Sequence, residues 1–464
     1  MPARRLSDQR VKEEAMKGNK FALRMAAFAT AMVFTGFAPL HGQQFAPLRG
    51  QQFVRFSDFV ESLKAADVSA VLAQSATRAT DPAAVEEMRK HLLTLYDGVE
   101  VSQSYVVDSQ TIDCIPIMQQ PAVRMLGLKS IAEAPSAPAS APGPASETAA
   151  LPSQLPADKT QDAFGNTLGC EGDTIPMLRV TLEQVAHFKT LHEFLEKGPD
   201  GAGQAKDPSA VPPATAAHKY VFYYQSVNNH GDEADINLWR PYVYTDIGEV
   251  FSLAQSWTIG GSGSGTQTAE VGWQNYPAQY GTENSVPFIY YTADDYNKTG
   301  CYNLTCGKFV QVSKAITFGA AFTPGSYSVP HNSTQYYLPF QYKFANGNWY
   351  LFYNGTEIGY YPGSVYNKGQ LTKYSTLLEF GSESVGTTVW PAEGSAQFGA
   401  VYGYDEAAWQ RNLFYINTSN VSVWDSLTYD APSPACYTGS PAKYSSTSGW
   451  GIYFYFGGPG GTGC

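Results

Sequence analysis

The sequence predicts a mainly β fold: an antiparallel β-sandwich preceded by a small α/β segment. Three observations predict it. From Tyr220 to Phe456, short runs of Tyr, Phe, Val, Ile and Trp alternate with polar residues and are punctuated by Gly, Asn-Gly and Pro-Gly. No stretch of this part carries a convincing helical period, although Asp405–Arg411 is short enough for one helical turn. The composition agrees, with 14% aromatic residues, 43 Gly and 31 Tyr against only 15% charged residues.

Taken in order, residues 1–44 are expected to be a signal peptide and leader. Arg4, Arg5, Arg10, Lys12, Lys17, Lys20 and Arg24 precede the apolar run Met25–Phe37. That run is too short to span a bilayer and polar residues follow it, so a secretory signal is expected rather than a membrane anchor. Met16 and Met25 are alternative starts. A direct repeat, Phe37–Gln44 and Phe45–Gln52, extends the leader.

Residues 45–130 form the α/β segment. Phe59, Val60 and Leu63, then Val85, Met88, Leu92 and Leu93, recur at helical spacing, and Asp81-Pro82 starts the second helix. Gly98–Val107 alternates like a strand, and Ile112–Val123 follows it. Residues 131–158 are Ala/Pro/Ser-rich and are expected to be a flexible linker. Residues 159–217 hold an amphipathic helix, Thr181–Glu196, stopped by Gly198-Pro199, and a second linker from Gly201. His187, His192 and Glu193 on that helix lack metal-site spacing and are expected to be exposed. The β domain is 218–464, and its best hairpin signal is Ala345-Asn-Gly-Asn-Trp-Tyr.

The net charge of −11 excludes phosphate-backbone recognition, so nucleic acid is not expected as a partner. A surface rich in Tyr, Asn, Gln, Ser and Thr loses few ion pairs on acidification and should tolerate acid. Six cysteines in a secreted chain imply three disulfides out of fifteen connectivities, with Cys301–Cys306, Cys436–Cys464 and Cys114–Cys170 the expected set. Sequons at Asn297, Asn303, Asn332, Asn354, Asn417 and Asn420 are glycosylation candidates. A monomer is expected.

Several familiar signatures fail on context. Gly458–Gly463 has dinucleotide-binding spacing, but the chain ends at Cys464 with no helix after it. Gly260–Gly265 does not fit a nucleophile elbow, and His218, His230 and His331 stand in no recognisable nucleophile context. What remains is carboxylates among aromatics. Glu270 lies in Thr266–Gly281, a run otherwise free of charge apart from its own side chain, and Glu379 and Glu383 lie in Leu377–Glu383. The alternative for Glu270 is a solvent-facing residue on an amphipathic strand. Two glutamates meeting across a partly desolvated cleft cannot both ionise cheaply, so one keeps its proton and the site holds a general base and a general acid together. Trp273, Tyr280 and Tyr291 are candidates to line such a cleft with flat faces, the alternative being core or surface positions.

Ala269-Glu-Val-Gly-Trp273 with Tyr280-Gly281, Thr299–Cys306 followed by Gly307–Gln311, Gly347-Asn-Trp-Tyr350, Gly359-Tyr-Tyr-Pro362 and Phe454–Gly460 resemble, in the same order, the motifs of the neprosin family. These are secreted glutamic endopeptidases that cleave beside proline. Ile112-Asp-Cys-Ile115 and Gln120-Pro-Ala122 are similar to that family's activation segment. The resemblance implies a zymogen whose pro-part, 45–130 with 159–217, acts as an intramolecular inhibitor and is removed in acid. It implies a proline-containing peptide substrate and no metal or organic cofactor. The first family glutamate falls on Glu270. The second belongs to an aromatic-Gly-Gly-Glu motif that here reads Phe380-Gly381-Ser382-Glu383, so Ser382 departs from it. Glu379 is the rival, on the same strand face and about 13 Å away, so only one of the two pairs with Glu270. Glu383 is the choice. A glycoside hydrolase or a non-catalytic glycan- or wall-binding module is the alternative for such a cleft.

Overall fold

The strong β pattern folds as read. A computed structural model describes residues 53–134, 136–143, 151–197 and 217–464. The expected signal and leader, the direct repeat and residues 201–216 of the second linker lie outside the described residues.

Helices α1 (Phe56–Lys64), α2 (Val68–Leu72) and α3 (Pro82–Tyr96) open the described chain, and the Asp81 side chain accepts from Ala83 N as an N-cap. Their apolar stripes, Phe59, Val60, Leu63, Val85, Met88 and Leu92, are buried as the spacing predicts. A three-stranded sheet follows from β1 (Gln103–Val107), β2 (Gln110–Pro116) and β3 (Thr174–Leu178), with the short helix α4 (Pro121–Leu126) after β2. The expected helix Thr181–Glu196 is instead two short ones, α5 (Leu182–Val185) and α6 (Leu191–Leu195). Each has its own start signal: Thr181 accepts from Gln184 N, and Thr190 accepts from Glu193 N while Glu193 accepts from Lys189 N. Those bonds bury Glu193, which the helical reading left exposed.

The β domain opens with β4 (Ala217–Asn237), followed by β5 (Glu249–Gly260), β6 (Gln267–Asn275), the one-turn helix α7 (Pro277–Tyr280), β7 (Val286–Thr292), β8 (Cys301–Tyr302), β9 (Val310–Gln311), β10 (Tyr337–Ala345), β11 (Asn348–Tyr353), β12 (Thr356–Pro362) and β13 (Ser375–Gly386). With later strands, these make an antiparallel sheet of sixteen strands among the described residues. Its main path runs β8-β7-β6-β5-β13-β4-β10-β11-β12-β9. Strand β4 is the corner. It pairs with β13 up to Asn229 and with β10 from Gly231 onward, so one strand serves both layers. Gly231 has φ +136°, and a Cβ there would lie 1.9 Å from Tyr342 O. Only glycine fits that bend.

Beyond the bend the sheet folds back on itself. Ser256 and Thr258 of β5 donate to Asp232 of β4, and Tyr342 of β10 donates to Glu270 O of β6. Two Asn-Gly turns, Asn346-Gly347 and Asn354-Gly355, have positive φ at both residues and close the β10–β11 and β11–β12 hairpins. The stretch read as a helical turn at Asp405–Arg411 instead leads into a strand, Ala408–Asn417, that pairs with β4.

Two further expectations change. The described part of the 131–158 linker does not run free: Ala139 exchanges two bonds with the Gln341 side chain, and Ala132 and Ala134 N donate to Tyr360 and Glu357. Of the sequons, Asn303 is buried with its Oδ1 accepting from Ile289 N, which leaves no room for a glycan. Asn297, Asn332, Asn354 and Asn420 are exposed and Asn417 is half-buried. The three disulfides are those expected: Cys114–Cys170, Cys301–Cys306 and Cys436–Cys464. The described residues fall in one compact unit, so the described N-terminal segment and the β domain share it.

Candidate active site

Strand β5 separates the two strands that carry the candidate glutamates, and the ladder fixes where each side chain stands. One row across the sheet reads Tyr290, Glu270, Trp257, Glu379, Tyr224. The next row on that face reads Phe288, Gly272, Gln255, Gly381, Phe222, and the third brings Leu253, Glu383 and Tyr220. Glu379 therefore stands level with Glu270, but the indole of Trp257 occupies the place between them. Glu383 lies on the diagonal, where the intervening row offers two glycines. Glu270 and Glu383 converge over them.

Both carboxylates are buried, at 0% and 1% exposure, and both meet one cation. Lys197 Nζ lies 2.5 Å from Glu270 Oε2 and 2.9 Å from Glu383 Oε2, and 5.2 Å from the centroid of the Trp257 ring. Glu270 Oε1 accepts from Thr268 Oγ1 at 2.8 Å and from Tyr296 Oη at 2.7 Å. Glu383 Oε1 lies 2.5 Å from His218 Nδ1. Burial pushes the Glu383 carboxyl up, but the Lys197 charge and the His218 bond outweigh it and hold the group at about 2. Burial likewise lowers the Lys197 ammonium, and the two carboxylates more than compensate, leaving it above its ordinary value. Half-buried Glu379 goes the other way, to about 7, through burial and the charge of Glu270, with Lys197 opposing.

Lys197 comes from the segment that ends α6, whose capping directs the chain over the cleft. The same N-terminal segment is fixed to the β domain by amide bonds. Gln110 donates to Tyr280 O and Gly319 O, Gln120 exchanges bonds with Gln311, and His91 Nε2 lies 2.8 Å from Thr305 O.

The remaining sequence candidates divide by strand face. Trp273 and Tyr291 belong to the opposite face from Glu270, where Trp273 donates to Asn237 O and is fully buried, so neither lines the cleft. Alternation places Tyr290, not Tyr291, on the cleft face. Tyr280 is on α7, outside the strands, and donates to Oε1 of Gln274, which pairs with Leu253. Ser382, the departure from the glutamate motif, also faces away: its Oγ donates to buried Glu393 at 2.5 Å. The substitution leaves the cleft side of the motif intact.

Lys197, Trp257 and Tyr296 escape the sequence reading, and His218 enters it only as a histidine without a nucleophile context. Lys197 precedes the Gly198-Pro199 stop signal, a position that marks a helix end and nothing chemical. Among the described residues, no group of three or more His, Cys, Asp and Glu side chains is placed to hold a metal ion.

Among solved structures, scytalido-glutamic peptidase with a transition state analog inhibitor is similar at 9% identity and a TM-score of 0.31, over 52% of this chain and 98% of that one. CG-16, a homodimeric agglutinin from chicken liver, is similar at 9% identity and a TM-score of 0.19, over 37% of this chain and 96% of that one. At such scores these likenesses carry no argument about activity. The family match is of another kind. Residues 248–459, which include both glutamates and the strand between them, match the family model described as Neprosin. The domain that brings Glu270 and Glu383 together belongs to the neprosin family.

Proposed function

We propose that this protein is a secreted, acid-active glutamic endopeptidase, made as a zymogen, that hydrolyses peptide bonds next to proline. The observation that carries the reading is the Lys197 ammonium held between two buried carboxylates from distant strands. A cation from the N-terminal segment sits where a scissile amide would have to lie, and with it in place neither glutamate is free to handle a proton. Family membership supports a peptidase. Three disulfides, and no helix among the described residues long and apolar enough to cross a membrane, support an extracellular location.

Once Lys197 leaves, the cation between Glu270 and Glu383 is gone, His218 stays on Glu383 Oε1, and two carboxyls brought this close share one proton at mildly acid pH. The ionised member takes a proton from water as the water oxygen bonds to the carbonyl carbon. The protonated member then gives its proton to the departing amine as the C–N bond breaks, so the pair ends with the one proton it began with. The face of Trp257 that Lys197 covers, 5.2 Å from its Nζ, suits the ring of a proline beside the cleaved bond.

The test is to acidify the purified full chain, follow loss of the N-terminal segment, and assay a proline-containing peptide. Cleavage by the parent and its absence in Glu270→Gln are expected. Unchanged cleavage by Glu270→Gln would remove that residue from the mechanism.

A further inference from the structure

Between the two glutamates stands Gln255. Gln255 is fully buried, yet neither its Nε2 nor its Oε1 has a hydrogen-bond partner. A buried primary amide without partners is costly and uncommon, and other interior glutamines of this protein find partners, as Gln110, Gln120 and Gln267 do. The ladder defines where Gln255 points. It shares the face of Trp257 and Leu253, which pair with Glu270 and Glu383, so it lies midway along the diagonal joining the two carboxylates.

Its neighbours in the row are Gly272 and Gly381, and Cβ atoms on them would lie 2.0 Å from Ala254 O and Val221 O. Two glycines flanking one amide in adjacent strands make a floor on which a peptide backbone can rest close to that amide. The strand itself is braced from behind, where Gln410 Nε2 donates to Gln255 O and Gly381 O.

We propose that Gln255 is a third catalytic residue, whose amide N–H donates to the oxygen of the scissile carbonyl between Glu270 and Glu383. The inference rests on the peptidase reading given above. As water adds to the carbonyl carbon, the π electron pair moves onto that oxygen, and the Gln255 N–H meets the charge as it forms. When the C–N bond breaks the pair returns and the carbonyl is restored. A neutral amide does this at any acidity at which the glutamates work, and it leaves the proton between them untouched.

The experiment compares parent, Gln255→Met and Gln255→Glu full chains after acid treatment, with Glu270→Gln as the inactive reference. Met keeps the shape and removes the donor. We expect kcat for Gln255→Met to fall by about 10²–10³-fold, with KM within about threefold of the parent and a pH profile of unaltered shape. Gln255→Glu donates only while protonated, so its activity should approach the parent's at the acid end and disappear as pH rises. That variant also decides the matter if Gln255→Met does not fold. Parental kcat in Gln255→Met, or a Gln255→Glu profile identical to the parent's, overturns the role of Gln255 and leaves the glutamate pair standing. A parent chain that cleaves no peptide removes the peptidase reading and this proposal with it.

Discussion

At the scale of residues, the site is a contest between two carboxylates for a partner, decided by their neighbours. Glu379 is level with Glu270 but has Trp257 in the way, whereas Glu383 is diagonal with Gly272 and Gly381 between. Lys197 then settles the charge. Glu383 at about 2 lies below its ordinary 4.5, so the ion pair's contribution to holding the cover is complete above 4.5 and is lost as pH falls toward 2. Replacing Lys197 by Met removes the cation and leaves two buried carboxylates opposed, a change that costs about 3–5 kcal/mol in comparable buried pairs. The N-terminal segment in Lys197→Met should therefore be cleaved already at neutral pH, with the parent's acid midpoint lost, as measured by its resistance to an added protease across a pH series. An unchanged midpoint would mean that the ion pair does not hold it. Glu270 was legible in the sequence because it is an isolated charge among aromatics. Lys197 was not, because the pairing is made in space, 73 residues from Glu270 along the chain.

At the scale of elements, the position of both glutamates depends on strand register, and register depends on where β4 turns from one layer to the other. The alternation of Tyr, Phe and Val made the strands readable, and the Asn-Gly pairs made two hairpins readable. The corner at Gly231 was unreadable, since a lone glycine in a strand pattern does not say which two strands it divides. Gly231→Ala puts a Cβ on Tyr342 O and forces a positive φ, so a loss of at least about 2 kcal/mol is expected in denaturant unfolding. Stability equal to the parent's would show that the bend tolerates a side chain. The same limit explains α5 and α6. Helical spacing over 181–196 reads as one helix, while Thr181 with Gln184 and Thr190 with Glu193 mark two starts within it. The faces of single strands are legible, and parity from Glu270 puts the cleft candidates Trp273 and Tyr291 on the opposite face, in the core positions that were their alternative.

At the scale of the whole molecule, the expected acid tolerance depends on buried acids that composition does not indicate. The sparse surface charge was visible in the sequence, but the buried acids were not. Burial pushes Asp232 up to about 6 and Glu393 up to about 8, against the hydroxyl bonds they accept, and Asp425 well above its ordinary value. Such groups stay protonated in the fold while the unfolded chain ionises them. The stability that these groups contribute is therefore greatest below the ordinary carboxylate range and falls as pH rises through their raised values, by up to about 1.4 kcal/mol per pH unit for each group within its window. The midpoint of thermal unfolding should rise as pH is lowered from 8 to about 5. A midpoint that falls over that range would show these acids to be ionised in the fold. Glu383 acts in the opposite sense, and only below 4.5, so on the proposed reading there is a range in which the fold stays firm while the N-terminal segment is released.

The central claim is that Glu270 and Glu383 work as one unit, and a double-mutant cycle in kcat/KM on a proline-containing peptide tests it most directly. Groups that act together are not additive. The account predicts that Glu270→Gln, Glu383→Gln and the double variant all lose about the same activity, on the order of 10³-fold or more. Near-parental activity in either single variant, or losses that simply multiply in the double, would contradict it.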